Sequence, residues 1–254
     1  MSCDPNTLLN DARCYACLTE EQRAIIILSL WCQIQSAGTT PPSGGQLFIE
    51  TFDANPGYDL TGWIVETGGN PNNTIDPDYV GEILEGTQSL RVANLDIVPH
   101  YIHRAITPVS EIFVFFKFMV RSVFTPQSTD FFAPRSALNV QLAGCGLDSS
   151  AMNFYLHVMG AGVISPTPVV IGQVYNCWLS FNKNNGANRI ATFAFSTGTT
   201  RPTSGPNFIQ ATGLVSATDV GDLAIGVPYS DFADAEDFVF DRVIASTIQI
   251  GDNP

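Results

Sequence analysis

The chain has 254 residues, of which 45% are hydrophobic and only 14% charged, and its formal net charge is −13. So apolar a composition excludes a disordered chain, and the shortage of cations excludes nucleic acid and anionic membrane as partners, because both are held by basic surface. The longest apolar run falls far short of the ~20 residues that cross a bilayer, and no basic stretch followed by an apolar one opens the chain. Synthesis and assembly in a reducing cytoplasm are therefore expected.

Residues 1–35 read as a short α-helical segment. Asp4-Pro5-Asn6-Thr7 opens a first helix, with a capping residue and then Pro in the first turn, ahead of Leu8 and Leu9. Thr19-Glu-Glu-Gln22 is a capping box for a second. That helix carries Ile26, Leu30 and Ile34 at spacing four, with Ile27 and Trp31 beside them. A lone helix of this length cannot hide so broad an apolar surface. Leu8, Leu9, Ile26, Ile27, Leu30, Trp31 and Ile34 are thus expected to form an assembly interface with another chain, giving a homo-oligomer. Cys3, Cys14, Cys17 and Cys32 give the spacing C-x10-C-x2-C-x14-C. Two thiolates in C-x-x-C reach one tetrahedral site, so a structural zinc is open, alongside thiols packed in the interface and disulfides.

Residues 36–46, Ser-Ala-Gly-Thr-Thr-Pro-Pro-Ser-Gly-Gly-Gln, form a linker, because Pro and Gly disrupt helix and ladder alike. From 47 to 254 the pattern is strands and turns. Strands are expected at Gln46–Phe52, Gly62–Glu66, Ser89–Ala93, Tyr101–Ile106, Glu111–Phe124, Ala137–Leu142, Asn153–Met159, Val174–Asn182, Arg189–Ser196, Asp222–Val227 and Phe238–Ser246, with Asp76-Pro-Asp78 among the turns. Within Glu111–Phe124, Ile112, Val114, Phe116, Phe118 and Val120 alternate onto one side, which must face the core. So many strands imply two packed sheets: an all-β, antiparallel jelly-roll sandwich.

Phe48-Ile-Glu-Thr-Phe-Asp53, then Gly62-Trp63, then Gly86-Thr-Gln-Ser-Leu-Arg-Val92 resembles the opening of concanavalin-like, laminin-G-type jelly rolls. Val174–Asn182 and Glu236–Ser246 look like later strands of that family, so the resemblance covers most of 46–250. Asp4–Leu18 with Trp31-Cys-Gln-Ile34 is similar to leaders on structural proteins of tailed bacteriophages. Together these resemblances imply a virion component, such as a capsid decoration, head-fibre or tail-associated subunit. It would be assembled in the host cytoplasm, gripping other virion proteins through its front helices and displaying the jelly roll outward.

No active site is expected. Concanavalin-like glycosidases carry Glu-x-Asp-x-x-Glu, which is missing, as are the Arg-, Gln-His- and Tyr-Lys-containing strings of jelly-roll alginate lyases. A Gly-x-Ser-x-Gly elbow is missing too. His100 and His103, three apart on a strand, point to opposite faces, and with His157 read as surface or packed residues. Asp219, Asp222, Asp231, Asp234, Glu236, Asp237, Asp241 and Asp252 face only Arg242 locally, which favours a solvated acidic rim over a calcium site. Glycans are the remaining partner class. Tyr58 and Asp59, Asp76, Asp78 and Tyr79, Asn182, and Tyr229 with Asp231 are of the types that read sugar hydroxyls, although turn chemistry uses the same residues. The expectation is a non-enzymatic structural protein, with a standalone carbohydrate-binding or carbohydrate-cleaving jelly roll as its alternative.

Overall fold

The computed structural model describes residues 45–53, 60–68, 73–94, 98–123, 128–148, 150–158, 161–185, 188–214, 218–230, 236–252 and 254. The expected front helices, the interface residues on them and Cys3, Cys14, Cys17 and Cys32 lie outside these residues. The described chain folds into β1 (Gln46–Glu50), β2 (Ile64–Glu66), β3 (Thr74–Tyr79), β4 (Ser89–Asn94), β5 (His100–Val109), β6 (Glu111–Val123), β7 (Ser128–Arg135), β8 (Ala143–Asp148), β9 (Asn153–Val158), β10 (Ala161–Pro168), β11 (Val174–Asn185), β12 (Asn188–Ser196), β13 (Phe208–Leu214), β14 (Val220–Ser230) and β15 (Glu236–Ser246).

Two antiparallel sheets result, making an all-β, jelly-roll-like sandwich. Eight strands run in the order β13-β12-β11-β6-β15-β4-β3, with β1 also paired to β15; seven run in the order β10-β9-β8-β7-β14-β5-β2. Alternation along β6 places Ile112, Val114, Phe116, Phe118 and Val120 in the core, as expected from the sequence. Their rings meet those of the opposite sheet. Phe116 stacks on Phe132 at 4.7 Å and Phe118 on Phe131 at 4.1 Å. Phe154, Phe193, Phe238 and Phe240 complete the aromatic layer. Offset ring pairs of this kind add to the burial of large apolar area, and this layer holds the two sheets together.

Five strands arise where none was expected, β3, β7, β8, β10 and β13, and one expected strand is a loop. Thr74–Tyr79 forms an edge strand despite Pro77. An edge tolerates a missing N–H, and the register shifts between Asp76 and Tyr79. β8 and β10 carry glycines that weaken a strand pattern in the sequence. Residues 137–142 instead close a tight turn. Ser136 N–H donates to the Val140 carbonyl, its hydroxyl accepts from Leu138 and Val140 N–H, and Asn139 adopts φ +62°. This turn matters, because it delivers Gln141 to the outer face of the seven-stranded sheet.

Candidate functional site

Period-two alternation that sends Phe154, Leu156, Val158, Cys145, Leu147, Leu223, Ile225 and Ile102 into the core sends their neighbours to the outer face. That face therefore carries Tyr155 and His157 on β9, Gly144 and Gly146 on β8, Asp130 and Arg135 on β7, Asp222 and Ala224 on β14, and Tyr101 and His103 on β5. Its polar groups gather around two buried carboxylates.

The first is Asp130, only 1% exposed. It accepts from the Tyr155 hydroxyl at 2.5 Å, from the Gln141 amide, and lies 2.9 Å from His157 Nε2. The Gln141 amide also lies 3.1 Å from His157 Nε2. Glycine makes this convergence sterically feasible. A Cβ at Gly144 would stand 2.5–2.7 Å from Gln141 Nε2, His157 Nε2 and Asp130 Oδ2, and one at Gly146 would meet the Tyr155 ring at 2.5 Å. β8 is thus a bare floor over which side chains from β7, β9 and the 136–141 turn reach one another. Burial opposes charge on His157, but the hydrogen bond and the negative charge of Asp130 outweigh it and raise the imidazole pKa.

The second carboxylate is Asp222. Arg135 Nε donates to one of its oxygens at 2.7 Å, Nη2 stands 2.6 Å from the same oxygen as an ion pair, and His103 Nδ1 lies 2.7 Å from the other. Arg135 also donates from Nη1 to the Tyr101 hydroxyl at 3.0 Å and sits over that ring. Glu66, on the edge strand β2, stands 3.8 Å from His103 Nε2. The two groups share one backbone junction, because Arg135 and Gln141 are bridge partners. Asp130, Asp222, Arg135 and His103 are buried, whereas Tyr101, Gln141, Tyr155 and His157 are half-exposed. Only the latter four can touch a ligand from solvent; the buried groups fix their positions.

The sequence-derived binding candidates fall elsewhere. Asp76, Asp78 and Tyr79 lie on β3 and Asn182 on β11, both in the eight-stranded sheet. There Asp76 accepts from Asp78 N–H, Asp78 from the Gln88 amide, and Tyr79 donates to Glu82, while Asn182 donates to Glu111. Tyr79 also lies beneath Arg91 and Arg121. Tyr58, Asp59 and Asp231 lie outside the described residues. Tyr229 is the β14 backbone partner of Asp130. His100 and His103 do occupy opposite faces of β5, with His100 buried.

The expected acidic rim is corrected at four positions. Asp222, Glu236, Asp237 and Asp241 are buried, not solvated. Asp237 takes a two-pronged contact from Arg91 at 2.9–3.0 Å and another from Arg121 at 2.5 Å, while Glu236 accepts from the Thr129 hydroxyl. The cations of Asp222 and Asp237 stand on other strands, about ninety or more positions away in sequence, so a count of local charge misses them. Among the described residues, no group of three or more His, Cys, Asp or Glu could hold a metal ion.

In fold, the chain is similar to an endo-beta-1,4-glucuronan lyase from the fungus Trichoderma reesei (TM-score 0.55, 14% identity, covering 80% of this chain and 96% of that one). It is likewise similar to Cip1, a cellulose-induced protein (TM-score 0.58, 12% identity, 80% and 99% coverage). No family model matches the chain, and no curated protein matches it in sequence. These likenesses correct two expectations. The body is similar in fold to a lyase and to a cellulose-induced protein, nothing in the comparisons points to a virion subunit, and the likeness to a lyase stands against the expected non-enzymatic structural role. The phage resemblance rested on residues 4–34, whereas the site is assembled from residues 101–222 by sheet pairing that short motifs do not register.

Proposed function

We propose that this protein acts on carbohydrate, cleaving the glycosidic bond beside a uronate by β-elimination at the outer face of the seven-stranded sheet. The observation that carries this reading is the Asp130 cluster: a buried carboxylate holding Tyr155, His157 and Gln141 together over a floor of glycine. Likeness in fold to a glucuronan lyase supports it.

β-Elimination removes the proton on the carbon next to the uronate carboxyl and expels the oxygen at the adjacent carbon. It needs a base, an acid and a partner for the carboxylate as negative charge spreads into it. Tyr155 Oη takes the C5 proton while its own proton passes along the 2.5 Å hydrogen bond to Asp130. His157, kept more protonated by Asp130, gives a proton to the departing O4. The C4–O4 bond breaks, the electron pair of the C5–H bond becomes the C4=C5 double bond, and no outside reagent is consumed. In this reading the Gln141 amide and the Tyr101 hydroxyl bind the carboxylate, and Arg135, itself held by Asp222, donates to Tyr101.

The test incubates the full chain with uronate-bearing polysaccharides and follows ultraviolet absorbance of the unsaturated uronate formed. Product from the native protein and its loss in Tyr155→Phe are expected. Glycan binding without unsaturated product would replace the lyase by a carbohydrate-binding protein, and neither binding nor product would overturn both.

A further inference from the structure

Cleavage of a polyuronide is served by a track of unpaired cations, since a polyanion must be drawn in and neutralised along its length. This protein is built the other way. Of its 11 Lys and Arg residues, nine fall within 45–254. Seven of those nine have a carboxylate within 4 Å: Arg91 with Asp237, Arg104 with Glu50, Lys117 and Arg242 with Glu85, Arg121 with Glu82 and Asp237, Arg135 with Asp222, and Lys183 with Asp219. At the candidate site, Arg135, His103 and His157 are matched by Asp222, Glu66 and Asp130. The site is at most neutral, and the molecule around it carries a net charge of −13.

The flanks point the same way. Leu138 and Val140, in the turn that delivers Gln141, are 86% and 51% exposed; Ile64, the β2 partner of His103, is 53% exposed. Both borders of the site therefore present aliphatic side chains, which contact the C–H faces of uncharged sugars at no desolvation cost and give a carboxylate nothing to pair with.

We infer that the site takes a heteropolysaccharide whose single uronates are separated by uncharged sugars, and that it disfavours a polyuronide. This rests on the β-elimination reading and narrows it to a substrate class. One uronate meets Gln141, Tyr101 and His157, while its neighbours lie over the aliphatic borders. A chain with charge on every ring meets long-range repulsion that salt relieves.

The deciding experiment compares kcat/KM on deacylated gellan, whose glucuronates are spaced by neutral sugars, with that on polyglucuronate, following unsaturated product as added salt rises from about 10 mM to about 150 mM, over which screening shortens from roughly 30 to roughly 8 Å. The expected result is faster cleavage of gellan at low salt, and a roughly tenfold rise on polyglucuronate as salt is added, against a change below about twofold on gellan. Preference for polyglucuronate at low salt, a rate on it that is flat or falls with salt, or equal rates on both would overturn the inference and leave the lyase reading standing. No unsaturated product from either polymer at any salt concentration would overturn the lyase reading itself.

Discussion

The outer faces of the two sheets are made by the same alternation, yet they spend their polar residues differently. On the eight-stranded sheet, Arg91 and Arg121 close on Asp237 across strands, while Arg121 and Lys117 also pair with Glu82 and Glu85 in the segment between β3 and β4. Beside them, Phe115, Trp178, Ala194 and Ile244 form a small apolar cluster with Ile250 of the C-terminal segment, whose Gly251 carbonyl accepts from Trp178 Nε1 at 2.9 Å. Charges are used up there and apolar groups are covered. On the seven-stranded sheet, the carboxylates sink to the base and hydrogen-bonding tips stand above them, with glycine and alanine where a ladder of side chains would otherwise fill the face. Polar residues that satisfy one another stabilise a fold; polar residues held half-exposed over buried carboxylates are prepared for something else.

This contrast breaks most sharply at Tyr155. Tyr155→Phe removes one oxygen from a half-exposed side chain, so kcat/KM should fall by roughly 10²- to 10⁴-fold while thermal unfolding barely moves. A matching fall in Tm and activity would make the cluster structural, like its counterpart on the other sheet. Gly144→Ala comes next. Its methyl must displace Gln141, His157 or Asp130, and displacement of about 1 Å should cost on the order of 100-fold in rate, again with little change in melting.

The eight-stranded face should give the reverse pattern. Asp237→Ala leaves Arg91 and Arg121 without their shared carboxylate, each being about 28–29% exposed. A loss of roughly 1–2 kcal/mol in chemical denaturation with unchanged kcat/KM is expected, since the arginine tips regain water. A fall in kcat/KM would tie that face to the reaction.

The smallest effects are in pH dependence. Burial pushes Asp241 up to about 7 from its ordinary 3.8, against hydrogen bonds from Ser89, Arg242 N–H and Glu85 N–H that favour its ionised form, and the charge of Asp53 adds to the rise. Between those values the folded protein keeps a proton that the unfolded chain has lost, so Asp241 costs stability as pH rises toward about 7. Asp241→Asn should flatten that decline in Tm across the same window. On the other sheet, Asp130→Asn removes the charge that raises the His157 pKa, so the imidazole titration followed by NMR should move to lower pH. A midpoint that stays in place would separate His157 from Asp130.

Much of the fold was legible along the chain, because a strand with one buried face writes its period into the sequence. Ile112, Val114, Phe116, Phe118 and Val120 show this, as does the Phe48–Asp53 opening. Pro77 and the glycines of β8 hid their strands, since the local rule they break is excused only at an edge or over a crowded site. For the candidate site, the residue types were in view and their company was not. His157 and Arg135 stood in the sequence as unremarkable residues, and Gln141 lay inside an expected strand.

Composition and the period-two alternation along the chain determined by themselves that residues 47–254 form β-strands around an apolar core. Those properties depend on each residue and its near neighbours. Only tertiary structure decided that Asp130, Gln141, Tyr155 and His157 meet over Gly144, and that Asp222 finds Arg135 and His103. Such meetings are set by strand order and register, and the partners lie up to 119 positions apart in the chain.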